Sequence, residues 1–218
     1  VDAVPEDGIF YNTTSNFSTS PELGNGNKAV LNSASTIATI GGLEPLSTYH
    51  IAVFEFNGSS GITNYLLTSP ATNSFTTMAA EPTVSAGSSL SVVSVGFDFI
   101  EVTWVKGNGQ KRLVTIGESG STLERPVDGV TYTANTIFGQ GQELAPGRYV
   151  VADGDIDQIK VTGLTPGIVY TFEIIEYNGT GTEINYRTIG VSTSYSQTLV
   201  YKPTIQASNV VISDVTSS

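Results

Sequence analysis

The 218-residue chain has no cysteine. That excludes disulfide scaffolds, thiolate zinc centres and thiol catalysis. Histidine, methionine and tryptophan occur once each, as His50, Met78 and Trp104. Positive charge is scarce, with Lys and Arg totalling 9 against 20 Asp and Glu and a formal net charge of −11. Nucleic-acid and anionic-membrane binding both need cationic surface, so neither partner is expected. No apolar run approaches the ~20 residues that cross a bilayer, so membrane insertion is not expected. No signal peptide or lipidation motif is visible and the first residue is Val, which suggests a processed or excised piece of a longer protein. What is abundant is neutral and turn-forming. Gly numbers 23, hydrophobic residues make up 39 %, and only 13 % are charged. Such a composition suits β-structure with many turns, and the length suits about two domains.

The chain repeats itself at a spacing of about 121 residues. Residues 5–65 align with 126–186 without a gap, and 18 of the 61 positions are identical. Among them are Asp7-Gly8 with Asp128-Gly129, Tyr11 with Tyr132, and Phe17 with Phe138. Tyr49 with Tyr170, Asn57-Gly58 with Asn178-Gly179, and Asn64-Tyr65 with Asn185-Tyr186 complete the pattern. Residues 81–201 read as a complete repeat. Residues 1–80 match only its later two-thirds, and 202–218 only its opening stretch, as in a window on a tandem array.

Within the complete repeat, residues 99–105 alternate, with Ile100, Val102 and Trp104 on one face and Glu101 and Thr103 on the other. That is the period of a half-buried strand. Further strands are predicted at 90–95, 111–116, 149–152, 158–162, 170–177 and 192–199, and one more at 209–215. A tight hairpin turn is expected at Asp153-Gly154-Asp155. Seven short strands without helical spacing predict antiparallel β-sandwiches in tandem.

Two connections share the form L-x-P-x-x-x-Y, at Leu43-Glu44-Pro45 through Tyr49 and Leu164-Thr165-Pro166 through Tyr170. Leucine plugs the core, proline turns the chain, and the tyrosine hydroxyl reaches main chain, as in a tyrosine corner. With Trp104 on the second strand, the repeat resembles a fibronectin type III domain. The ordered set Pro126-Val127-Asp128-Gly129, Tyr132, Phe138-Gly139, Glu176-Tyr177-Asn178-Gly179 and Asn185-Tyr186 narrows this. It is similar to the fibronectin type III-like repeats of secreted and cell-surface Bacteroidetes proteins, with Ser18 departing where the second repeat has Gly139. The resemblance implies an immunoglobulin-like scaffold and an extracellular or bacterial cell-surface location, but not a reaction.

No catalytic, cofactor-binding or metal-binding residue is expected, and no cofactor. His50 follows the corner tyrosine and is expected to face outward. Asp153, Asp155 and Asp157 have the spacing of oxygen ligands for calcium but lack the glycine and distal glutamate of an EF-hand loop. The first repeat has Asn32, Ala34 and Thr36 there, so a solvated turn is expected and calcium binding stays open. Glu55 and Glu176 share a repeat position on the tyrosine side of their strand, where a carboxylate would accept hydrogen bonds from a neighbouring strand or loop. Lys160, between Ile159 and Val161, should face solvent, which disfavours an intramolecular isopeptide crosslink. Asn12, Asn16, Asn57 and Asn178 head N-x-S/T sequons, incidental in a bacterial protein. Tyr186, Tyr195 and Tyr201 are candidates for stacking on sugar rings, although turn packing explains Tyr65 and Tyr186 more simply.

Three functions are compatible. The first is a non-enzymatic stalk, spacer or adhesive segment of a longer exported bacterial surface protein. The second is an extracellular filament subunit assembled by strand exchange. The third is an accessory spacer or glycan-binding module of a secreted polysaccharide-acting enzyme. Expected partners are neighbouring repeats or other copies of the protein, and surface glycans. The first repeat lacks counterparts of three strands, and the single strand at 209–215 could not supply them all.

Overall fold

Short apolar alternations punctuated by glycine and proline fold as strands throughout. The computed structural model describes residues 2–86, 90–205 and 208. The strand expected at 209–215 lies outside the described residues. The chain is all-β and divides into two units.

The first unit comprises Val1–Glu81 with two later segments, Val127–Thr131 and Asn178–Tyr186. Its strands form small antiparallel pairs. These are β1 (Glu22–Gly24) with β2 (Asn27–Lys28), β3 (Thr48–Val53) with β6 (Ala71–Thr76), and β4 (Phe56–Asn57) with β5 (Asn64–Tyr65). Tyr49 lies opposite Phe75, and Ile51 opposite Asn73. Among the described residues no strand pairs with the other edge of β3. The side chains of β3 and β6 are half-buried or exposed.

In the second unit, β7 (Ser91–Val95), β8 (Phe99–Thr103) and β12 (Gln158–Thr162) form one sheet in the order β12-β8-β7. The facing sheet runs β10-β11-β9-β13, from β9 (Lys111–Glu118), β10 (Glu143–Ala145), β11 (Arg148–Gly154) and β13 (Val169–Asn178). After β13 comes the two-residue β14 (Asn185–Tyr186), within the first unit. The last strand, β15 (Ser192–Gln197), pairs along β13, with Phe172 opposite Ser194. Ile100, Val102 and Trp104 pack with Val114, Ile116, Val151, Ile159, Val161, Tyr170, Phe172 and Ile174 in one core. This is the expected β-sandwich, and the alternation of β8 and β13 places its apolar sides inward.

One strand expectation needs correction. β11 and β12 do not form a hairpin. β11 pairs with β9, Tyr149 opposite Ile116, whereas β12 pairs with β8, Ile159 opposite Val102. Residues 155–157 therefore carry the chain from one sheet to the other, a link that a Greek-key sandwich requires and strand periodicity does not show. β13 is buried on both faces, including Thr171, Glu173 and Ile175. Main chain and side chains from Ser121 to Arg125 reach Arg148 and Glu173 there.

Candidate functional site

Both tyrosine corners form as the spacing predicts. The Glu44 amide donates to the Tyr49 hydroxyl and the Thr165 amide to the Tyr170 hydroxyl, each at 2.9 Å. A threonine then ties each corner to the end of the last strand. Thr77 Oγ1 donates to Glu44 O at 2.6 Å, and Thr198 Oγ1 donates to Thr165 O at 2.7 Å. Residues 78–81 leave the first of these threonines and residues 199–202 the second, each a connecting segment or linker.

The first linker is held by a preformed loop. Asn178-Gly179 opens the loop with Gly179 at φ +89°, where a Cβ would collide with the carbonyl of Glu183. Asp128 accepts from the Tyr186 amide at 2.7 Å, and the Tyr186 hydroxyl donates to Val130 O at 2.9 Å. The Gly129 amide donates to Ile184 O, also at 2.9 Å. This scaffold aims three groups at the linker. The Ala79 amide donates to Glu183 O at 2.9 Å, Asn185 Nδ2 donates to Ala79 O at 2.9 Å, and Asn178 Nδ2 donates to Ala80 O at 2.7 Å. Ala79 is only 3 % exposed. The recurring Asn-Gly and Asn-Tyr pairs carry the signal for this site, but their sequence suggests turn packing alone.

The carboxylates of the second unit are occupied structurally. Glu176, buried, accepts from the amides of Gly107 at 2.8 Å and Gly109 at 2.9 Å, and from Arg112 Nε at 2.9 Å. That fulfils the expectation of bonds from a neighbouring loop and strand. A Cβ at Gly109 would stand 2.6 Å from Glu176 Oε2, so glycine keeps the cradle open. Glu55 lies beyond β3, exposed, and no such cradle surrounds it among the described residues. Glu173 is buried between Arg125 and Arg148, with Oε2 3.3 Å from Arg148 Nη1. Arg148 donates further to Thr122 O at 3.0 Å and to Thr115 Oγ1 at 3.2 Å. Burial pulls the Arg148 pKa below the ordinary guanidinium value, with nearby Glu173 opposing. Sequence reasoning missed both ion networks, because their members lie far apart in the chain.

The three aspartates do not converge. Asp155 binds Lys106 at 2.9 Å and also Arg112, whereas Asp153 accepts from the Tyr177 hydroxyl. The main chain of Asp157 accepts from Trp104 and Thr103. The Lys106 hydrogen bond is the largest cause holding the Asp155 carboxyl below the usual aspartate value. Among the described residues no three His, Cys, Asp or Glu side chains are grouped to hold a metal ion. His50 is exposed on β3, opposite Ser74, beside an open depression of about 310 Å³ that Ile51, Thr72 and Asn73 also line. Lys160 is exposed as expected, 3.9 Å over the Phe99 ring. Tyr186 is buried with its hydroxyl tied down, so it is withdrawn from the sugar-stacking candidates. Tyr195 and Tyr201 are exposed, and Tyr201 lies 5.4 Å from the Phe97 ring. The sequon residues Asn12 and Asn16 belong to the first unit, where Asn16 caps the short 3-10 turn Phe17–Thr19.

No protein-family model matches the chain, and no curated protein does. Several solved structures are similar to it. One is the fourth fibronectin type III domain of a human protein, 13 % identical over 59 % of this chain and 85 % of that one, with a TM-score of 0.33. Another is the domain of human fibronectin type III domain containing protein 3, 16 % identical over 55 % and 90 %, with a TM-score of 0.31. Domains d3-d4 of the rat CD45 extracellular region are 17 % identical over 86 % and 83 %, with a TM-score of 0.29. No helix among the described residues is long and apolar enough to cross a membrane.

Proposed function

We propose that the chain is a non-enzymatic structural segment, a stalk or spacer of fibronectin type III-like sandwiches in a longer exported bacterial surface protein. Residues 1–80 are then the later two-thirds of one sandwich, and 202–218 begin another. The observation that carries this reading is the grip on the linker. Successive main-chain groups at Ala79 and Ala80 are bonded by Glu183, Asn185 and Asn178, so the linker is not a free tether. The buried carboxylates Glu173 and Glu176 support it too, since each is paired with arginine rather than aimed at open space.

Hydrogen exchange tests the reading. The Ala79 amide is expected to exchange far more slowly than an unstructured peptide, and Asn178→Asp with Asn185→Asp is expected to remove that protection. Random-coil exchange at Ala79 in the unaltered chain, or polysaccharide hydrolysis by the purified chain, would overturn it. One observation favours the filament reading as a second possibility. The edge of β3 that does not face β6 has no strand partner among the described residues, and such edges accept strands from other chains.

A further inference from the structure

We propose that the loop spanning residues 57–64 is a second linker-docking site, and that its occupant is segment 198–203 of another copy of this chain. The proposal carries the linker grip, on which the structural reading rests, from one chain to a second copy, and so goes with the filament alternative rather than with a stalk in which neighbouring polypeptide fills the same loop.

The receptor is already built. Gly58 has φ +86°, and a Cβ there would collide with the carbonyl of Ile62, just as at Gly179 and Glu183. Asp7 accepts from the Tyr65 amide at 2.8 Å, and the Tyr65 hydroxyl donates to Ile9 O at 3.0 Å. The Gly8 amide donates to Thr63 O at 2.7 Å. Every scaffold bond of the occupied loop thus has its counterpart. What differs is the occupant. Asn57 and Asn64 are exposed, and neither side-chain amide donates to any group among the described residues. The Ile62 carbonyl stands where Glu183 receives Ala79.

The donor is equally prepared. Thr198 repeats the stem of Thr77, with amides donating to Ile168 O and Ser47 O respectively, both at 3.1 Å. Beyond it, Leu199, Val200, Tyr201, Lys202 and Pro203 align with Met78, Ala79, Ala80, Glu81 and Pro82. Val200 is 72 % exposed and Tyr201 68 %.

Donor and acceptor also match in chemistry. The occupied pair sets two small alanines against Glu183. The open pair sets the larger apolar Leu199, Val200 and Tyr201 against Ile62, which is 78 % exposed. Lys202 replaces Glu81, and it would approach a repeat bearing Asp7 and Glu55, in which Lys28 is the one Lys or Arg of residues 1–81. In the docked state the Val200 amide donates to Ile62 O. Asn64 donates to Val200 O and Asn57 to Tyr201 O. Donor and acceptor are different surfaces, so the contact is head-to-tail and builds open chains rather than closed dimers.

Sedimentation of the 218-residue chain over a range of concentrations is the test. Its average mass is expected to rise with concentration. Asn57→Asp with Asn64→Asp keeps the side-chain shape but replaces the donors with acceptors, and should weaken association about tenfold or more. Val200→Pro removes the donor amide and should do the same. Mixing the two variants should restore pairing that stops at two chains, because each retains one intact surface. A synthetic peptide of residues 197–205 should shift the side-chain amide resonances of Asn57 and Asn64 in the unaltered chain, a readout independent of how any variant folds. Oligomers that survive both variants would overturn the proposal in favour of pairing at the β3 edge. A chain that stays monomeric and ignores the peptide would overturn it too. If Ala79 is nevertheless protected from exchange, only the docking proposal fails and the structural reading stands.

Discussion

Tyr49 and Tyr170 make the same hydrogen bond at the same length, yet Tyr170 is fully buried and Tyr49 is not. The contrast runs through both repeats. β13 is flanked by β9 and β15, and its Phe172 and Ile174 lie in a closed core. Among the described residues the matching β3 pairs only with β6, and Ile51 is half-buried. The matching stretch of β12, residues 37–41, forms no strand, and Ile37 is 80 % exposed. Turns and corners depend on residues close in sequence and form in both repeats. Burial depends on β7, β8 and β9, which among the described residues belong to the second unit. Local geometry and core completion are thus separable in this architecture.

The ion network deepens the lesson. At the positions of Arg125, Arg148 and Glu173 the first repeat has Val4, Asn27 and Ala52. At Asp153 and Tyr177 it has Asn32 and Phe56, so donor and acceptor change together. Removing one member of a buried pair strands a charge, whereas removing both avoids that penalty.

The largest expected effect breaks the comparison at the core. Phe172→Ala should cost about 3–5 kcal/mol in urea unfolding, whereas Ile51→Ala, at a half-buried site, should cost less than about 2 kcal/mol. Next is the ion pair. Arg148→Ala should destabilise by about 3–5 kcal/mol, while Arg148→Asn with Glu173→Ala, the residues the first repeat has at those two positions, should cost distinctly less than Arg148→Ala alone. A double variant as damaging as the single one would show that packing, not stranded charge, governs the site. Smaller still, Tyr170→Phe should cost about 1 kcal/mol and Tyr49→Phe less, because water reaches the half-exposed corner. The smallest effect concerns acid. The lowered pKa of Asp155 means that its ionised form stabilises the fold above the ordinary value of 3.8, and that contribution is lost as the pH falls through the lower folded value. Melting curves between about pH 2 and 5 should therefore show a slightly shallower acid decline in Asp155→Asn, which lacks the titrating carboxylate, the difference being kept small by solvent screening.

Much of this was legible in the sequence. The strands at 99–103 and 158–162, the two corners and the inward side of β13 follow from period-2 alternation and the L-x-P-x-x-x-Y spacing. The hairpin at residues 153–155 was misread because adjacency in sequence does not say which sheet a strand joins. The partners of Glu173 were hidden for a related reason. Arg125 and Arg148 lie on separate segments, and only their joint replacement in the first repeat points to the pairing. The linker grip left a visible trace in Asn178 and Asn185, but a side-chain amide that bonds a distant carbonyl looks, in one dimension, like an ordinary turn residue.

Asn178 also matters to anyone preparing the protein. Asn178-Gly179-Thr180 is an acceptor sequon, and Nδ2 of that asparagine lies 2.7 Å from the Ala80 carbonyl. A yeast or insect secretory host could place an oligosaccharide on this nitrogen, crowding the peptide it should grasp. Material from such a host and material from bacterial cytoplasm would then differ in how firmly Ala79 and Ala80 are held, with an identical amino-acid sequence.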